Sequence, residues 1–353
     1  MAYTTIDDPS AYFNTLLYSG NASTNALTNS ANAGNMQPDW LWLKCRNDAV
    51  SHQVFDTSRQ TSGESTLVIR PNTTDAESNV SGDGMTSIDS NGFTLNGGGS
   101  GGGVNESGKT YVAWQWKANG GTTSTLSGGI SATVQANTTS GFSIVKFTAS
   151  GNNNQVEHGL GAVPHFIIAK AKDVSDNWFI YHQNIGPNGY IMLNKTNSTD
   201  SPNSTVWRNI DPTSQYFYVS TGGFNYNTSS DVIAYCFAEK QGYSKFGSYT
   251  GNGSSDGTFV YTGFKPAWLM VKRSSDAQGW IIWDSKRDTF NIADAPLTAS
   301  ESSGEDDKEV DLLSNGFKFR SADTATNAAS TYIYMCFASS PLVGSDGTPC
   351  TAR

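Results

Sequence analysis

Two aspartate–arginine pairs with the spacing Asp-x-x-Arg are the clearest candidates for chemistry in the sequence: Asp56 with Arg59, and Asp284 with Arg287. Each pair closes a short apolar stretch, and a third stretch of the same kind ends in His182. Aromatic faces beside planar hydrogen-bonding groups are suited to holding a sugar. The predicted ligand-binding residues are Trp178, Tyr181, His182, Trp280, Trp283 and Asp284. The simpler interpretation is a turn in which the carboxylate accepts backbone N–H groups and pairs with the arginine.

Neither a metal centre nor a catalytic site is expected. The histidines His158, His165 and His182 fall in the middle of the chain without the spacing of a metal-ligand motif. The acidic run 304–311 lacks the ligand periodicity and turn glycine of a calcium loop, so a solvated acidic loop is the better interpretation. The pattern GxSxG occurs at 98–102 and 253–257, and GxxxxGK[ST] occurs at 103–110, but each lies in a Gly-rich stretch between predicted strands and lacks the helix that follows a nucleophile elbow or a phosphate-binding loop. We therefore expect a non-enzymatic protein with no cofactor and no bound metal.

Composition limits the class of partner. The chain has 353 residues, of which 15% are charged, and a formal net charge of −9. Phosphate binding needs clustered Lys and Arg, so nucleic acid is not an expected partner. No apolar run approaches the ~18 residues of a membrane span, and the opening MAYTTIDDPS has no signal-peptide pattern, which predicts synthesis in a cytoplasm. The four cysteines lack metal spacing, and a reducing compartment predicts free thiols.

One short motif occurs three times along the chain. PDWLWLK (38–44) returns as PHFIIAK (164–170) and as PAWLMVK (266–272). Each copy is preceded by another apolar stretch that ends near glycine, and each is followed by an aromatic closing stretch: TYVAWQWKA, DVIAYCFAE or TYIYMCFAS. The recurrence of these landmarks in one order predicts three repeats of roughly 100 residues, the size of a small domain.

Within each repeat the pattern is that of short strands. Stretches of β-branched and aromatic residues alternate with Gly, Asn, Asp and Pro, and no stretch has helical periodicity over three turns. The predicted fold is all-β, with three tandem β-sandwich domains of the jelly-roll or lectin-like type. The expected boundaries are unit one (1–118), a Gly/Ser/Thr-rich flexible linker (119–140), unit two (141–240), and unit three (241–353) with a short C-terminal tail.

The motif strands are apolar on both faces. On a strand, Trp40 and Trp42 point to one face and Leu41 and Leu43 to the other, which predicts burial on both sides and makes the tryptophans core residues. A lone sandwich covers only one face of each sheet, so some contacts must cross between units or subunits. We expect a homo-oligomer, with a trimer as the working state.

The sequence resembles a repeat family of marine bacteriophages, in particular T7-like phages of cyanobacteria. The resemblance rests on IDDPSAYFNTLLYSGN from Ile6, on GFSIVKF and HGLGAVPHFIIAK in unit two, on the junction AYCFAEKQGYSKFGSYTGNGSSDGTFVYTGFKPAW from Ala234, and on TYIYMCFAS from Thr331. It covers nearly the whole chain. It implies a virion-associated protein, either tail-fibre-like or otherwise structural.

The function expected from this resemblance is that of a non-enzymatic structural protein of the virion, made in the host bacterial cytoplasm. A peripheral tail component that recognises the host surface is the leading interpretation. A capsid decoration or cement protein and a glycan-binding lectin-like module are the alternatives. The expected partners are further copies of the chain, other virion proteins and a host-surface glycan. Unit one is expected to attach to the particle, and the loops of units two and three to carry recognition.

Overall fold

A computed structural model describes residues 3–29, 36–60, 67–80, 82–97, 103–150, 154–224 and 229–349. The all-β prediction is confirmed, since the described residues form antiparallel sheets and contain no α-helix; a 3-10 turn spans Pro9–Ala11. No helix in this part of the chain is long and apolar enough to cross a membrane.

The described residues of the first unit form nine strands. They are β1 (Phe13–Ser19), β2 (Asn25–Thr28), β3 (Trp40–Cys45), β4 (Gln53–Asp56), β5 (Leu67–Val68), β6 (Ser78–Asn79), β7 (Met85–Asp89), β8 (Gly92–Leu95) and β9 (Thr110–Trp116).

The strands of the middle of the chain begin inside the segment 119–140. They are β10 (Ser124–Leu126), β11 (Ala132–Asn137), β12 (Phe142–Thr148), β13 (Asn154–Glu157), β14 (Phe166–Ala171), β15 (Trp178–His182), β16 (Ile191–Met192), β17 (Tyr216–Val219) and β18 (Asp231–Phe237).

Eight strands lie in the part of the last unit that the structure describes. They are β19 (Ser244–Thr250), β20 (Phe259–Tyr261), β21 (Phe264–Arg273), β22 (Trp280–Asp284), β23 (Leu297–Thr298), β24 (Val310–Leu313), β25 (Gly316–Phe319) and β26 (Thr331–Pro341).

The three main sheets share one strand order. In each sheet the closing strand (β9, β18 or β26) lies between the opening strand (β1, β12 or β19) and the motif strand (β3, β14 or β21), and the motif strand then pairs with β4, β15 or β22. All these pairs are antiparallel. Positions can therefore be matched between units through the strand register.

A smaller sheet covers the outer face of each main sheet. Its strand order is β2-β8-β7 in unit one, β13-β17 in unit two and β20-β25-β24 in unit three. A separate apolar core lies under each outer layer, with Leu41, Ile167 and Leu269 of the motif strands among its buried members. One face of every motif strand is thus buried within its own unit.

The other faces of the three main sheets pack on each other. Trp40 and Trp42 of unit one, Ile168 of unit two, and Trp268 and Met270 of unit three belong to one continuous core. Trp40 lies 4.7 Å from the ring of Tyr235 in unit two, centroid to centroid. Two-faced burial, which suggested a second subunit, is therefore achieved within one chain. The units therefore share one core in addition to the separate core that each has under its outer layer.

Equivalent hydrogen bonds close the three units into a ring. We call the motif strand and the strand paired after it (β4, β15 or β22) the motif hairpin. In each unit, one ring nitrogen at or just before the start of the second strand of this hairpin donates to a backbone carbonyl of the neighbouring unit. The bonds are Trp178 Nε1 to the Arg70 carbonyl (3.0 Å), Trp280 Nε1 to the Met192 carbonyl (2.9 Å) and His52 Nε2 to the Thr298 carbonyl (3.0 Å). Unit two thus contacts unit one, unit three contacts unit two, and unit one contacts unit three.

The lysine that ends each motif is buried between units. Lys170 Nζ donates to the carbonyls of Ala171 (2.6 Å) and Val174 (3.1 Å) in its own unit and of Thr74 (3.3 Å) in unit one. Lys272 is bonded in the same way, to two carbonyls of unit three and to that of Thr196 in unit two. Burial lowers the pKa of Lys170 to about 8 and that of Lys272 to about 7.

The segment 119–140 is not the flexible linker that its composition predicted. Strands β10 and β11 extend the main sheet of unit two, with β11 paired along β12. Gln135 of β11 donates to Thr57 Oγ1 and Ser58 Oγ, both at 2.9 Å, and accepts the Asn119 N–H (3.0 Å). The segment therefore fastens units one and two together.

Unit one packs directly against the other units. Ile6 and Phe13, from the N-terminal segment and β1, lie in the shared core. Tyr3 Oη donates to the Gly263 carbonyl (2.6 Å), and Thr4 Oγ1 donates to the Gln241 carbonyl (2.9 Å), so the N-terminal segment is bound to unit three. The N-terminal segment is therefore part of the packed body of the protein.

Candidate functional site

The residues predicted to bind a ligand are all buried. Their exposed fractions run from 0% for His182, Trp280, Trp283 and Asp284 to 1% for Trp178 and 4% for Tyr181. A sugar cannot stack on a ring that has no exposed face, so the structure contradicts the exposure on which that prediction depended. These side chains build the cores and the contacts between units.

The Asp-x-x-Arg pairs form the turn that the simpler interpretation predicted, in which the carboxylate accepts backbone N–H groups and pairs with the arginine. Asp284 Oδ1 accepts the backbone N–H of Lys286 (3.0 Å) and of Arg287 (2.9 Å), and Oδ2 accepts from Arg287 Nε (2.6 Å). Trp114 of unit one donates its Nε1–H to the same Oδ2 (2.9 Å). Burial alone would raise the pKa of Asp284, but the Arg287 charge and these hydrogen bonds outweigh it and lower the pKa.

Asp56 and Arg59 repeat this arrangement at the next contact between units. Arg59 Nε lies 2.5 Å from Asp56 Oδ2, and Asp56 accepts the hydroxyl proton of Tyr235 in unit two (2.7 Å). In unit two the matching pair is His182 with Ile185, and His182 bonds to the Tyr334 carbonyl of unit three (3.3 Å). Unit two therefore has neither the aspartate nor the arginine of the other two units at this position.

The remaining predicted polar features are also structural. His158 bonds to the Thr213 carbonyl (3.1 Å) and to the Leu160 N–H (3.2 Å). In the acidic run, Glu305 pairs with Arg46 of unit one (2.7 Å), so this part of the loop joins two units and is not simply solvated. Across the described ranges, no cluster of three or more His, Cys, Asp or Glu residues could hold a metal ion.

An open groove at the boundary between units two and three is the best candidate for a binding site. It has a volume of about 580 Å³, and we call it the 2/3 groove. Its lining comes from both units: His165, Gln183, Asn184, Glu239, Lys245, Phe246, Gly247, Ser248, Tyr249, Phe259, Val260, Tyr261 and Tyr334.

The polar part of the 2/3 groove is held by hydrogen bonds across the boundary. Glu239 pairs with Lys245 Nζ (3.1 Å) and also accepts the Phe246 N–H (3.4 Å). The Glu239 N–H donates to His165 Nδ1 (3.0 Å), which leaves the proton of the neutral ring on Nε2. Burial lowers the pKa of His165, and the Glu239 charge opposes this only in part. Gln183 donates to the Phe246 carbonyl.

The apolar part of the groove is two exposed aromatic rings on β20. Phe259 is 45% exposed and Tyr261 is 51% exposed, while Val260 between them faces the core. In unit one, Ala26 and Thr28 lie at the positions that correspond to Phe259 and Tyr261. The correspondence follows from the strand register, in which Ala26 and Thr28 pair with Thr94 and Gly92, and Phe259 and Tyr261 pair with Lys318 and Gly316. Unit one therefore carries small residues where unit three exposes aromatic ones.

The described lining residues are of the types that contact sugars, with one carboxylate among them. Exposed aromatic rings can stack on the apolar face of a pyranose, while carboxylate, amide and ammonium groups can bond its hydroxyls. Glycoside hydrolysis needs two carboxylates across the bond, and Glu239 is the one carboxylate among the lining residues. The alternation of residues in GTFVYTG (257–263) is the sequence signal for an outward-facing aromatic pair. The predicted site was placed instead on tryptophans of the central strands, which are buried.

Comparison with known proteins gives one result. Residues 8–341 match the family described as a domain of unknown function, DUF7483. No curated protein and no solved structure matches the chain. The match spans all three units, in keeping with their shared core. The chain belongs to the DUF7483 family.

Proposed function

We propose that this protein is a non-enzymatic structural component of a bacteriophage particle, of the tail-fibre type, that binds carbohydrate on the host surface through the 2/3 groove. The observation that carries the recognition part is the pair Phe259 and Tyr261, exposed beside Glu239 and Lys245 on a body whose other aromatic rings are mostly buried. The particle assignment rests on the sequence resemblance.

Rigidity supports a recognition role. The groove spans units two and three, which are joined by the shared core and by the Trp280 bond to the Met192 carbonyl. A surface that is already ordered loses little conformational entropy when a ligand binds. Within this proposal the three units are copies of one two-layer β-sandwich repeat, as their common strand order suggests.

Carbohydrate binding is tested by titrating the purified protein with a panel of bacterial surface polysaccharides. The test variant is Phe259→Ala with Tyr261→Thr, which gives unit three the residues of unit one. We expect affinity to fall at least about tenfold, because two stacking faces are lost. Phe290→Ala is the control, since Phe290 is 80% exposed but does not line the groove. Equal binding by the wild type and the double variant would contradict the proposal.

The particle assignment needs its own test. Mass spectrometry of purified particles, with gold-labelled antibodies in electron micrographs, should detect the protein at the tail. Labelling spread over the capsid would favour the decoration role, and absence from particles would refute both. Polysaccharide binding by a protein that is absent from particles would leave the groove assignment standing alone.

A further inference from the structure

Three boundaries between units are related by the ring arrangement. At each, the opening strand of one unit lies beside the turn after the motif hairpin of the previous unit. The turns are equivalent because each makes the same bond: the N–H of Thr57, Gln183 or Ser285 to the carbonyl of Asp39, His165 or Ala267, at 3.0, 2.9 and 2.8 Å. We call the boundaries the 1/2, 2/3 and 3/1 seams.

At the 1/2 seam a further strand of the same chain fills the space. Strand β11 pairs antiparallel with the opening strand β12, with Gln135 opposite Ile144. The Gln135 amide then reaches Thr57 and Ser58 on the turn of unit one. This seam shows what the site accommodates: an added strand with a polar side chain aimed at the turn.

At the 2/3 seam the edge of the opening strand is capped by side chains. Phe246, which corresponds to Ile144, has its N–H bonded by Glu239 (3.4 Å) and its carbonyl bonded by Gln183. Backbone groups that an added strand would use are therefore satisfied within the chain. Capping of this kind is a common protection for edge strands.

At the 3/1 seam the described residues place neither an added strand nor a side-chain cap on the edge. Strand β1 is the edge of its sheet. Lys117 N donates to the Tyr12 carbonyl, and Gly20 N donates to the Lys109 carbonyl. These two bonds show which residue pairs of β1 and β9 are hydrogen-bonded and which are not. Residues Thr15 and Leu17 then fall in the non-hydrogen-bonded pairs, so their N–H and C=O groups point outward from the sheet.

Thr15 departs from the pattern of the repeat. It occupies the position of Ile144 and Phe246, which are apolar and buried, and it is itself only 6% exposed. Its hydroxyl is buried without a hydrogen-bond partner, and its outward backbone groups have none among the described residues. A buried polar group without a partner costs free energy, so its presence points to a missing partner.

A cavity of about 300 Å³ lies at this edge. Thr15 lines it together with Asn14, Ala267, Ser285, Lys286 and Ser339, and with Asp8, whose Oδ1 accepts hydrogen bonds from Ser10. Ser285 and Lys286 hold the places of Thr57 and Ser58, the partners of Gln135 at the 1/2 seam. Lys286 stands where the 1/2 seam has Ser58, the partner of the Gln135 amide. An ammonium group pairs more strongly with a carboxylate than with an amide, which favours a carboxylate on the added strand.

We infer that the unpaired edge of β1 at the 3/1 seam binds an extended segment of a partner protein, added antiparallel to β1, with a glutamate opposite Thr15 that pairs with Lys286. Main-chain bonds to Thr15 and Leu17 supply affinity, and the carboxylate supplies specificity. The inference does not depend on carbohydrate binding at the 2/3 groove.

The test uses a peptide with the sequence of residues 131–138 and the change Gln135→Glu. Titration into the full chain is followed by backbone amide NMR or by hydrogen exchange. We expect saturable binding with protection of the Thr15 and Leu17 amides. Absence of binding at millimolar peptide, or protection confined to another edge, overturns the inference.

Two matched proline variants assign the edge. Leu17→Pro removes an outward N–H from β1, and Ser248→Pro removes the equivalent outward N–H from β19 at the 2/3 seam; both residues are exposed. Proline is tolerated at outward positions of an edge strand, so both variants should keep the wild-type melting temperature. Leu17→Pro should weaken the peptide roughly tenfold and Ser248→Pro should not. Equal affinity in the two variants contradicts the assignment.

Charge reversal at the turn tests the chemistry of the partner. Lys286→Glu should weaken the glutamate peptide roughly fivefold and strengthen a peptide with lysine at the same position. Lys286 is exposed, so the change should leave the fold intact. If both peptides bind the wild type and the variant alike, the carboxylate has no role and the stated partner chemistry is wrong.

Discussion

Removal of Arg287 provides a quantitative test of the ring. The guanidinium lies 2.6 Å from Asp284 and 3.2 Å from Glu305, and both side chains of the Asp284–Arg287 pair are inaccessible to solvent. Arg287→Met keeps the side-chain volume but leaves the Asp284 carboxylate with hydrogen bonds and no compensating charge. Breaking a buried pair in this way costs about 3–5 kcal/mol of unfolding free energy.

The expected cost depends on pH. In the wild type the pKa of Asp284 is lowered, so its stabilisation is present above the unfolded-state value and is lost as pH falls through the folded-state value. In the variant, burial acts without the arginine and the carboxyl takes up a proton more readily. The difference in stability between the two proteins should therefore be largest at neutral pH and shrink toward pH ~4.

Denaturant unfolding between pH 7 and pH 4 measures this difference. The matched control is Ile185→Met, which changes the equivalent position of the uncharged unit and should cost less than about 1.5 kcal/mol. A loss below about 1 kcal/mol for Arg287→Met at pH 7, or a loss that does not change with pH, would refute the assigned role of the pair.

Two further predictions concern the contacts between units. Because burial lowers the pKa of Lys272 to about 7, below its unfolded value, its charged form disfavours folding and the penalty is relieved as pH rises. Lys272→Met should reduce the increase in unfolding free energy between pH 7 and pH 9.5, as urea titrations at several pH values would show. Gln135→Ala removes the hydrogen bonds to Thr57, Ser58 and the Asn119 N–H and should cost about 2–4 kcal/mol, with faster proteolysis of the segment 119–140; an uncleaved, equally stable variant would contradict this.

The repeated motif was enough to predict the strands and their burial. PDWLWLK and its two copies are two-faced apolar strands, and Trp40 and Trp42 are core residues as expected. The sequence could not indicate what covers the second face. The sequence of a strand shows that both of its faces are apolar. It does not show whether the second face packs on another unit of the same chain or on another subunit.

The candidate site was placed wrongly for a related reason. Trp280 and Trp283 point to opposite faces of one strand, and both are buried because the sheet is covered on both sides. Phe259 and Tyr261 lie on an outer-layer strand, where alternation leaves one face in solvent. Aromatic content alone does not separate these cases. Composition also hid β11, since Gly, Ser and Thr around ATVQAN suggested a coil.

Adsorption of phage particles to host cells is the most direct test of the proposed function. Particles carrying Phe259→Ala with Tyr261→Thr are compared with wild-type particles and with particles carrying Phe290→Ala. The proposal predicts that all three assemble with the same protein content and that only the double variant loses adsorption, by roughly tenfold or more in rate. Adsorption of the double variant at the wild-type rate, in particles shown to contain the protein, would contradict a recognition role for the 2/3 groove.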